Sequence, residues 1–390
     1  MSRTRIHNVR VFDGERTLAA TAADEVVLEG GLVTEVGSGA HGPFDAEFDG
    51  RGGTLLPGLV DAHTHVFDGS LAEALRHGVT TELDMFCPPR PLTRHRRLAA
   101  ARDDVADLRS AGILATAPGG HPLQLLKDLP GDVLDPADIP EFDFVTDPAQ
   151  APAFVAARRA EGSDYLKLVI DDGATHDTDL PSMTLPVAQA LTAAAHAAGL
   201  RVVAHAITAA EAHRALDAGV DGLAHVWADL APQDPRSRRL AERIRAQGAF
   251  VVSTLVWFET LTTRRTPAPG GCAHPGDLAN AVGALRALHA AGAAVLAGTD
   301  ANPFAPAHGA ALHRELQLLT EAGLGAEEAL AAATAVPARH LGLTDRGRIA
   351  PGLRADLLLT EGDPTRDVHA LTALTAVWRG GVRTTIRTTP

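Results

Sequence analysis

The sequence predicts an α/β protein: a (β/α)8 TIM-like barrel with a small β-sandwich domain formed by the N- and C-terminal segments. Three observations predict it. From residue 54 onward, eight short apolar runs alternate with longer helical segments rich in Ala, Leu and Arg, the pattern of parallel strands joined by crossover helices. A glycine stands just before six of those runs, in the lead-ins RHG, SAG, AAG, DAG, AQG and AAG. A helix C-terminus wants a residue with positive φ at that place. The flanks, residues 1–53 and 346–390, lose the alternation and read as short β segments punctuated by Gly and Asp.

In chain order, the expected strands are TLLPGLVDAH (54–63), VTTELDMF (79–86), ILATAP (113–118), YLKLVI (165–170), RVVAHA (201–206), GLAHV (222–226), FVVSTLV (250–256) and AVLAGTD (294–300). Segments such as LTAAAHAAG and AEAHRALDAG separate them as helices. The barrel is expected over 54–345, with its active site at the C-terminal ends of the strands. The segments IHNVRVFDG, EVVLEGGLVTEVG and AEFDGRGG at one end, and GRIAPGLRADLLLTEG and ALTAVWRGGVRTT at the other, would meet in a composite β domain made of 1–53 and 346–390. An open doubly wound sheet is the competing arrangement. No glycine-rich phosphate fingerprint follows the first strand, which weighs against it.

Composition excludes several classes of function. Hydrophobic residues make up 45% and charged residues 21%, enough for a sizeable core. Aromatics are only 4%, with Tyr165 the single tyrosine, so that core is built mainly of Ala, Leu and Val. A net charge of -13 with no long basic stripe argues against a nucleic-acid partner. No apolar run approaches the roughly 20 residues of a membrane span, and MSRTRIHNVRVFDGE has no signal-like apolar segment, so no membrane partner and a cytoplasmic location are expected. The only cysteines, Cys87 and Cys272, cannot build a thiolate cluster. Any metal must be held by nitrogen and oxygen. The partner expected is a small-molecule substrate, and the sequence leaves a homo-oligomer open.

Polar residues at strand ends carry the chemistry. Barrel strands are buried on both faces, so a polar residue there needs a reason, and at the C-terminal end the reason is often catalytic. His63 and His65 end the first strand, His205 the fifth, His225 the sixth and Asp300 the eighth. One His-x-His among 18 histidines is expected by chance, and a lone strand-end histidine usually bonds a loop carbonyl. Together, however, these residues form a ligand set suited to zinc or a similar divalent ion. Lys167 lies inside the apolar fourth strand of a chain whose 35 basic residues are all arginine except Lys127 and Lys167. A buried lysine can lose its proton where arginine cannot. Its amine could take up CO2 as a carbamate that bridges two metals, form a Schiff base, or pair with Asp171 or Asp172.

The arrangement PGLVDAHTH, strand-borne Lys167, VVAHA, DGLAHV and AGTD resembles the amidohydrolase superfamily of metal-dependent hydrolases, in particular its imidazolonepropionase-like and prolidase-like branch. The resemblance covers essentially the whole chain, including the tail GRIAPGLRADLLL. It implies that His63, His65 and Asp300 hold one metal, that His205 and His225 hold another, and that carboxylated Lys167 bridges them, giving two zinc ions per chain. Without that modification, a single ion on His63, His65, His205 and Asp300 is implied, with His225 near the substrate.

The expected reaction is cleavage of an amide-type C–N bond in a dipeptide-like, N-acyl or cyclic amide. Zinc lowers the pKa of its bound water from about 16 to about 7, giving a metal-bound hydroxide near neutral pH, with Asp300 as the proton shuttle. His121, after the third strand, is a candidate donor to the developing oxyanion. His308, Trp227, Trp257 and Arg90 are weaker candidates for substrate contact, the last within the arginine-rich CPPRPLTRHRR. Two alternatives stand beside hydrolysis: the same metal site could drive a non-hydrolytic cyclisation, or the barrel could be non-catalytic, which the filled ligand positions oppose.

Overall fold

The computed structural model describes residues 2–126, 138, 142–174, 178–263 and 277–384. Six strands occupy the N-terminal flank: β1 (Arg3–His7), β2 (Arg10–Val11), β3 (Glu25–Glu29), β4 (Leu32–Gly37), β5 (Ala46–Asp49) and β6 (Thr54–Pro57). Eight strands follow through the middle: β7 (Leu59–Thr64), β8 (Val79–Asp84), β9 (Asp107–Ser110), β10 (Leu166–Val169), β11 (Val202–His205), β12 (Gly222–Leu223), β13 (Phe250–Val252) and β14 (Ala294–Leu296). Three more close the chain: β15 (Leu357–Thr360), β16 (Leu374–Arg379) and β17 (Val382–Thr384).

The middle strands form two parallel sheets in chain order, β7-β8-β9 and β10-β11-β12-β13-β14. Hydrogen bonds join the two sheets on both edges. Ala115 bridges Leu168 in parallel, its N–H donating 2.8 Å to the Lys167 carbonyl. On the other edge the Ala62 N–H donates to the Ala297 carbonyl at 3.0 Å, and the His65 N–H to the Ala301 carbonyl at 2.8 Å. Helices such as Pro89–Ala101, Leu185–Ala197, Pro235–Gln247 and Ala310–Glu321 lie between successive strands. Their local sequences explain their ends. Thr208 and Glu211 form a capping box at the start of Ala209–Asp217, satisfying N–H groups that a helix start leaves unpaired. The six lead-in glycines, Gly78, Gly112, Gly199, Gly219, Gly248 and Gly292, all have φ between 66° and 80°; five follow a helix and are the stop that the lead-ins predict, whereas Gly112 follows the strand β9.

The flanking strands form two further sheets, ordered β4-β3-β1-β5 and β17-β16-β15-β6-β2, the second mixing strands from both ends of the chain. Ile6, Val26, Leu55, Leu357 and Trp378, drawn from both sheets, share one apolar cluster. Phe48 meets the Trp378 ring edge-on, with centroids 5.3 Å apart.

Two expected strands are cut short, 222–226 to Gly222–Leu223 and 294–300 to Ala294–Leu296, so that His225 and Asp300 lie just beyond β12 and β14, and three more differ in kind. The run 54–63 is two strands, because Gly58 breaks it: β6 pairs antiparallel with β15, and β7 pairs with β8. A Cβ on Gly58 would come 2.1 Å from Thr80 Oγ1, so only glycine lets the chain pass this close. In the third position, Asp107–Ser110 forms the paired strand, and 113–118 adds only the Ala115 bridge. The run 250–256 ends as a strand at Val252, and a helix begins at Leu255 (Leu255–Thr263). There Glu315 accepts the N–H groups of Leu255 and Val256, taking the place of a helix cap.

Candidate metal centre

The metal-binding type residues gather at the C-terminal ends of the parallel strands. His63 lies within β7, and its Nδ1 donates to the Ala224 carbonyl at 3.0 Å. A carbonyl can only accept, so the proton sits on Nδ1 and the Nε2 lone pair is left for a ligand role. Nε2 of His63 and of His65 stand 3.3 Å and 3.0 Å from Oδ1 of Asp300. Close packing makes this possible: a Cβ on Gly298 would meet the backbone nitrogen of His63 at 2.8 Å. Asp300 itself adopts φ 55°, and its N–H donates to the His63 carbonyl at 2.8 Å.

The His225 ring centroid is 4.8 Å from that of His63 and also 4.8 Å from that of His205. Its Nδ1 lies 2.9 Å from Thr254 Oγ1, which again leaves Nε2 for a ligand. One ligand atom each from His63, His225 and Asp300 fall within 4.8 Å of one another, and the same holds for His121, Asp171 and His205. Imidazole nitrogens with carboxylate oxygens are a donor set for a borderline divalent ion. The fit has a second support: among the described residues His205 Nε2 is buried with no hydrogen-bond partner, and a buried polar atom of that kind calls for one.

Burial sets the charge states. It pushes the Lys167 ammonium down to about 7, against the opposing pull of Asp300 and Asp84. Among the described residues no carboxylate lies within 4.0 Å of its nitrogen, so the expected alternative of an ion pair with Asp171 or Asp172 is not formed. Burial, helped by the Lys167 charge, lowers His63 to about 4, and burial holds His225 well below the usual histidine range. Both are neutral at pH 7, the form that binds metal. Burial would raise Asp300, but its contacts with His63 and His65 lower it well below the usual carboxylate range.

The remaining candidates are divided. His121 joins the cluster: its ring stacks on His205 at 4.8 Å, with Nδ1 3.6 Å from Asp171 Oδ2 and 3.0 Å from Gln124 Nε2. Trp257 lies in the first turn of the Leu255–Thr263 helix, 5.7 Å from the His225 ring. His308 turns instead to Glu82 in β8, with Nδ1 2.7 Å from Oε1. Trp227 is fully buried and donates to Ser237 Oγ at 3.0 Å under the Pro235–Gln247 helix, which makes it packing. The Arg90 side chain is 74% exposed and pairs with Asp138 at 3.2 Å. Burial pushes the Cys87 thiol far up, so it is inert at neutral pH. Lys127 and Cys272 lie outside the described residues.

Sequence reasoning missed Asp171 as a partner of His205 and His121, Thr254 beneath His225, and Glu82 against His308. Glu82 had little signal, since its strand, VTTELD, is mostly polar.

The sequence model described as Amidohydrolase family matches residues 54–387. The chain is 31% identical over 359 residues to an uncharacterized protein of Mycobacterium tuberculosis strain H37Rv, covering 88% of this chain and 87% of that protein. It is 30% identical over 373 residues to the imidazolonepropionase of Deinococcus radiodurans, covering 88% and 86%. A solved Xaa-Pro dipeptidase with bound methionine in its active site superposes with a TM-score of 0.81 at 22% identity, covering 98% of this chain and all of that one. At that identity the likeness concerns the fold.

Proposed function

Because the chain belongs to the amidohydrolase family, we propose that it hydrolyses an amide-type C–N bond in a small molecule at a centre holding two divalent ions, zinc being the ion its ligands suit best. The eight parallel strands are read as a closed barrel with the centre at its mouth, and the flanking sheets as a separate β-sandwich unit. The observation that carries the functional reading is the convergence of His63, His65, His225 and Asp300 with His205 above buried Lys167. The enzymes among the relatives and neighbours, an imidazolonepropionase and an Xaa-Pro dipeptidase, support the same bond type.

Bound divalent ions would supply Lewis acidity, polarising a substrate carbonyl and making a water more acidic. The chain's own residues do the rest. Asp300, a carboxylate lowered well below its usual range, takes a proton from the attacking water and returns it to the leaving nitrogen. Lys167 is partly unprotonated near pH 7, so its amine adds CO2 and releases a proton, leaving an anionic carbamate among neutral imidazoles. His121 stands where it can face the substrate oxygen.

The test is elemental mass spectrometry on protein purified without chelator or His-tag, followed by assay against dipeptides, N-acyl amino acids and cyclic amides. Two ions per chain and metal-dependent amine release are expected. Protein free of metal, or amide turnover unaffected by chelation, would overturn the reading.

A further inference from the structure

Asp171 follows β10 by two residues and is almost completely buried, 1% exposed. An ionised carboxylate in that position is costly unless something positive or several donors meet it. Its Oδ1 accepts the Gly173 N–H at 2.7 Å, a local turn bond that fixes the carboxylate plane. The other oxygen, Oδ2, is thereby aimed at two imidazoles: it lies 3.4 Å from His205 Nε2 and 3.6 Å from His121 Nδ1.

Those separations are informative. Two ligands on one tetrahedral zinc, each at about 2.0 to 2.2 Å, stand about 3.4 Å apart. A direct N–H to O hydrogen bond is shorter, about 2.7 to 3.2 Å. The His205 to Asp171 distance therefore fits two groups facing a shared ion better than two groups bonded to each other, and it matches the 3.3 Å between His63 Nε2 and Asp300 Oδ1. Among the described residues His205 Nε2 is buried with no hydrogen-bond partner, although a carboxylate oxygen sits this close. The residue is only 7% exposed.

We propose that Asp171 is a metal ligand in this chain, forming with His205 and His121 a site for a divalent cation beside the one at His63 and Asp300. The proposal rests on the metal-dependent reading above and deepens it: the ligand set implied by the family resemblance contains neither Asp171 nor His121. On binding, His121 Nδ1 exchanges its contact with Gln124 Nε2 for the ion. His225, equidistant from His63 and His205 by ring centroid, stands between the two ions. An Asp ligand adds a negative charge to this side and makes the donor set harder than an all-histidine one.

The experiment is zinc stoichiometry and competitive zinc affinity in the full chain for the wild type, Asp171→Asn, Asp171→Ala and His63→Ala. The expected result is two ions in the wild type, and loss of one, or at least tenfold weaker binding of one, in both Asp171 variants, with His63→Ala affecting the other. Anomalous diffraction at the zinc edge of the wild-type holoprotein provides a readout that does not depend on a variant folding, and should show an ion within about 2.2 Å of Asp171 Oδ2. Wild-type stoichiometry and affinity in folded Asp171 variants, or zinc at His63 and Asp300 with none beside Asp171, would overturn this proposal and leave the hydrolase reading standing. A wild type that binds no metal would overturn both.

Discussion

Oδ1 of Asp300 stands 3.0 Å from Nε2 of His65, across the seam where the strand array's first and last members are joined by hydrogen bonds. That contact ties the carboxylate proposed to carry the proton to the end of the first strand. Asp300→Asn keeps the size of the side chain but removes its ability to accept a proton. The fold should persist while turnover falls on the order of 10^3-fold or more. Steady-state kinetics on metal-loaded, thermally characterised variant decides the matter, and near-normal kcat would remove Asp300 from proton transfer.

Lys167 is placed where it loses its charge near pH 7. Lys167→Ala is expected to bind fewer metal ions than the wild type, with partial recovery of activity on adding a short carboxylic acid that takes the place of the carbamate. Lys167→Arg should not recover, since guanidinium stays protonated. Unchanged metal content in Lys167→Ala would count against a bridging lysine.

Thr254 Oγ1 meets His225 Nδ1 at 2.9 Å. Groups that orient a metal-binding imidazole commonly contribute 10- to 100-fold in affinity. Thr254→Val should therefore weaken zinc binding by about that factor while Thr254→Ser stays near wild type. Equal losses in the two variants would instead point to the strained backbone at this residue, whose φ is 47°.

Glu315 is fully buried, and burial raises its carboxyl from 4.5 to about 7 in the folded chain, although Ser253 and the Val256 and Leu255 N–H groups pull the other way. The folded state holds this proton more tightly than the unfolded one. Its stabilising contribution is complete below pH 4.5 and is lost as pH rises through about 7. Glu315→Gln cannot titrate, so the stability difference between wild type and variant should shift by about 3 kcal/mol against the wild type from pH 4 to pH 8. Urea unfolding across that range measures it, and parallel pH profiles would refute it.

The sequence exposed those parts of the site that a single run of residues encodes. His63, His65, His205, His225 and Asp300 are each legible because each ends an apolar stretch, and Lys167 because it interrupts one. What a second run supplies was not legible. Asp171 reads as half of a loop Asp-Asp pair until β10 and the segment after Ala115 bring it beside His205 and His121. His308 read as a pocket residue because nothing in its own neighbourhood shows Glu82 waiting in β8. Among the strands, Gly58 looks like an ordinary turn glycine, and only the pairing of Leu56 with Leu358 shows that the residues before it belong to another sheet. The segment Asp107–Ser110 is too polar to stand out as a strand, since its burial comes from neighbours on β8.

The junction at Gly58 also governs when the site can form during synthesis. β6 leads straight into the strand that carries His63, yet its antiparallel neighbour β15 is made about 300 residues later. At about 5 to 20 residues per second, the nascent chain carries His63 and His65 for roughly 15 to 60 s before β15 has been made. Zinc retention by ribosome-bound chains of increasing length is thus expected to rise as a late step, after residue 360 has emerged, and a gradual rise from residue 300 onward would show that the strand array holds its ion without the end of the chain.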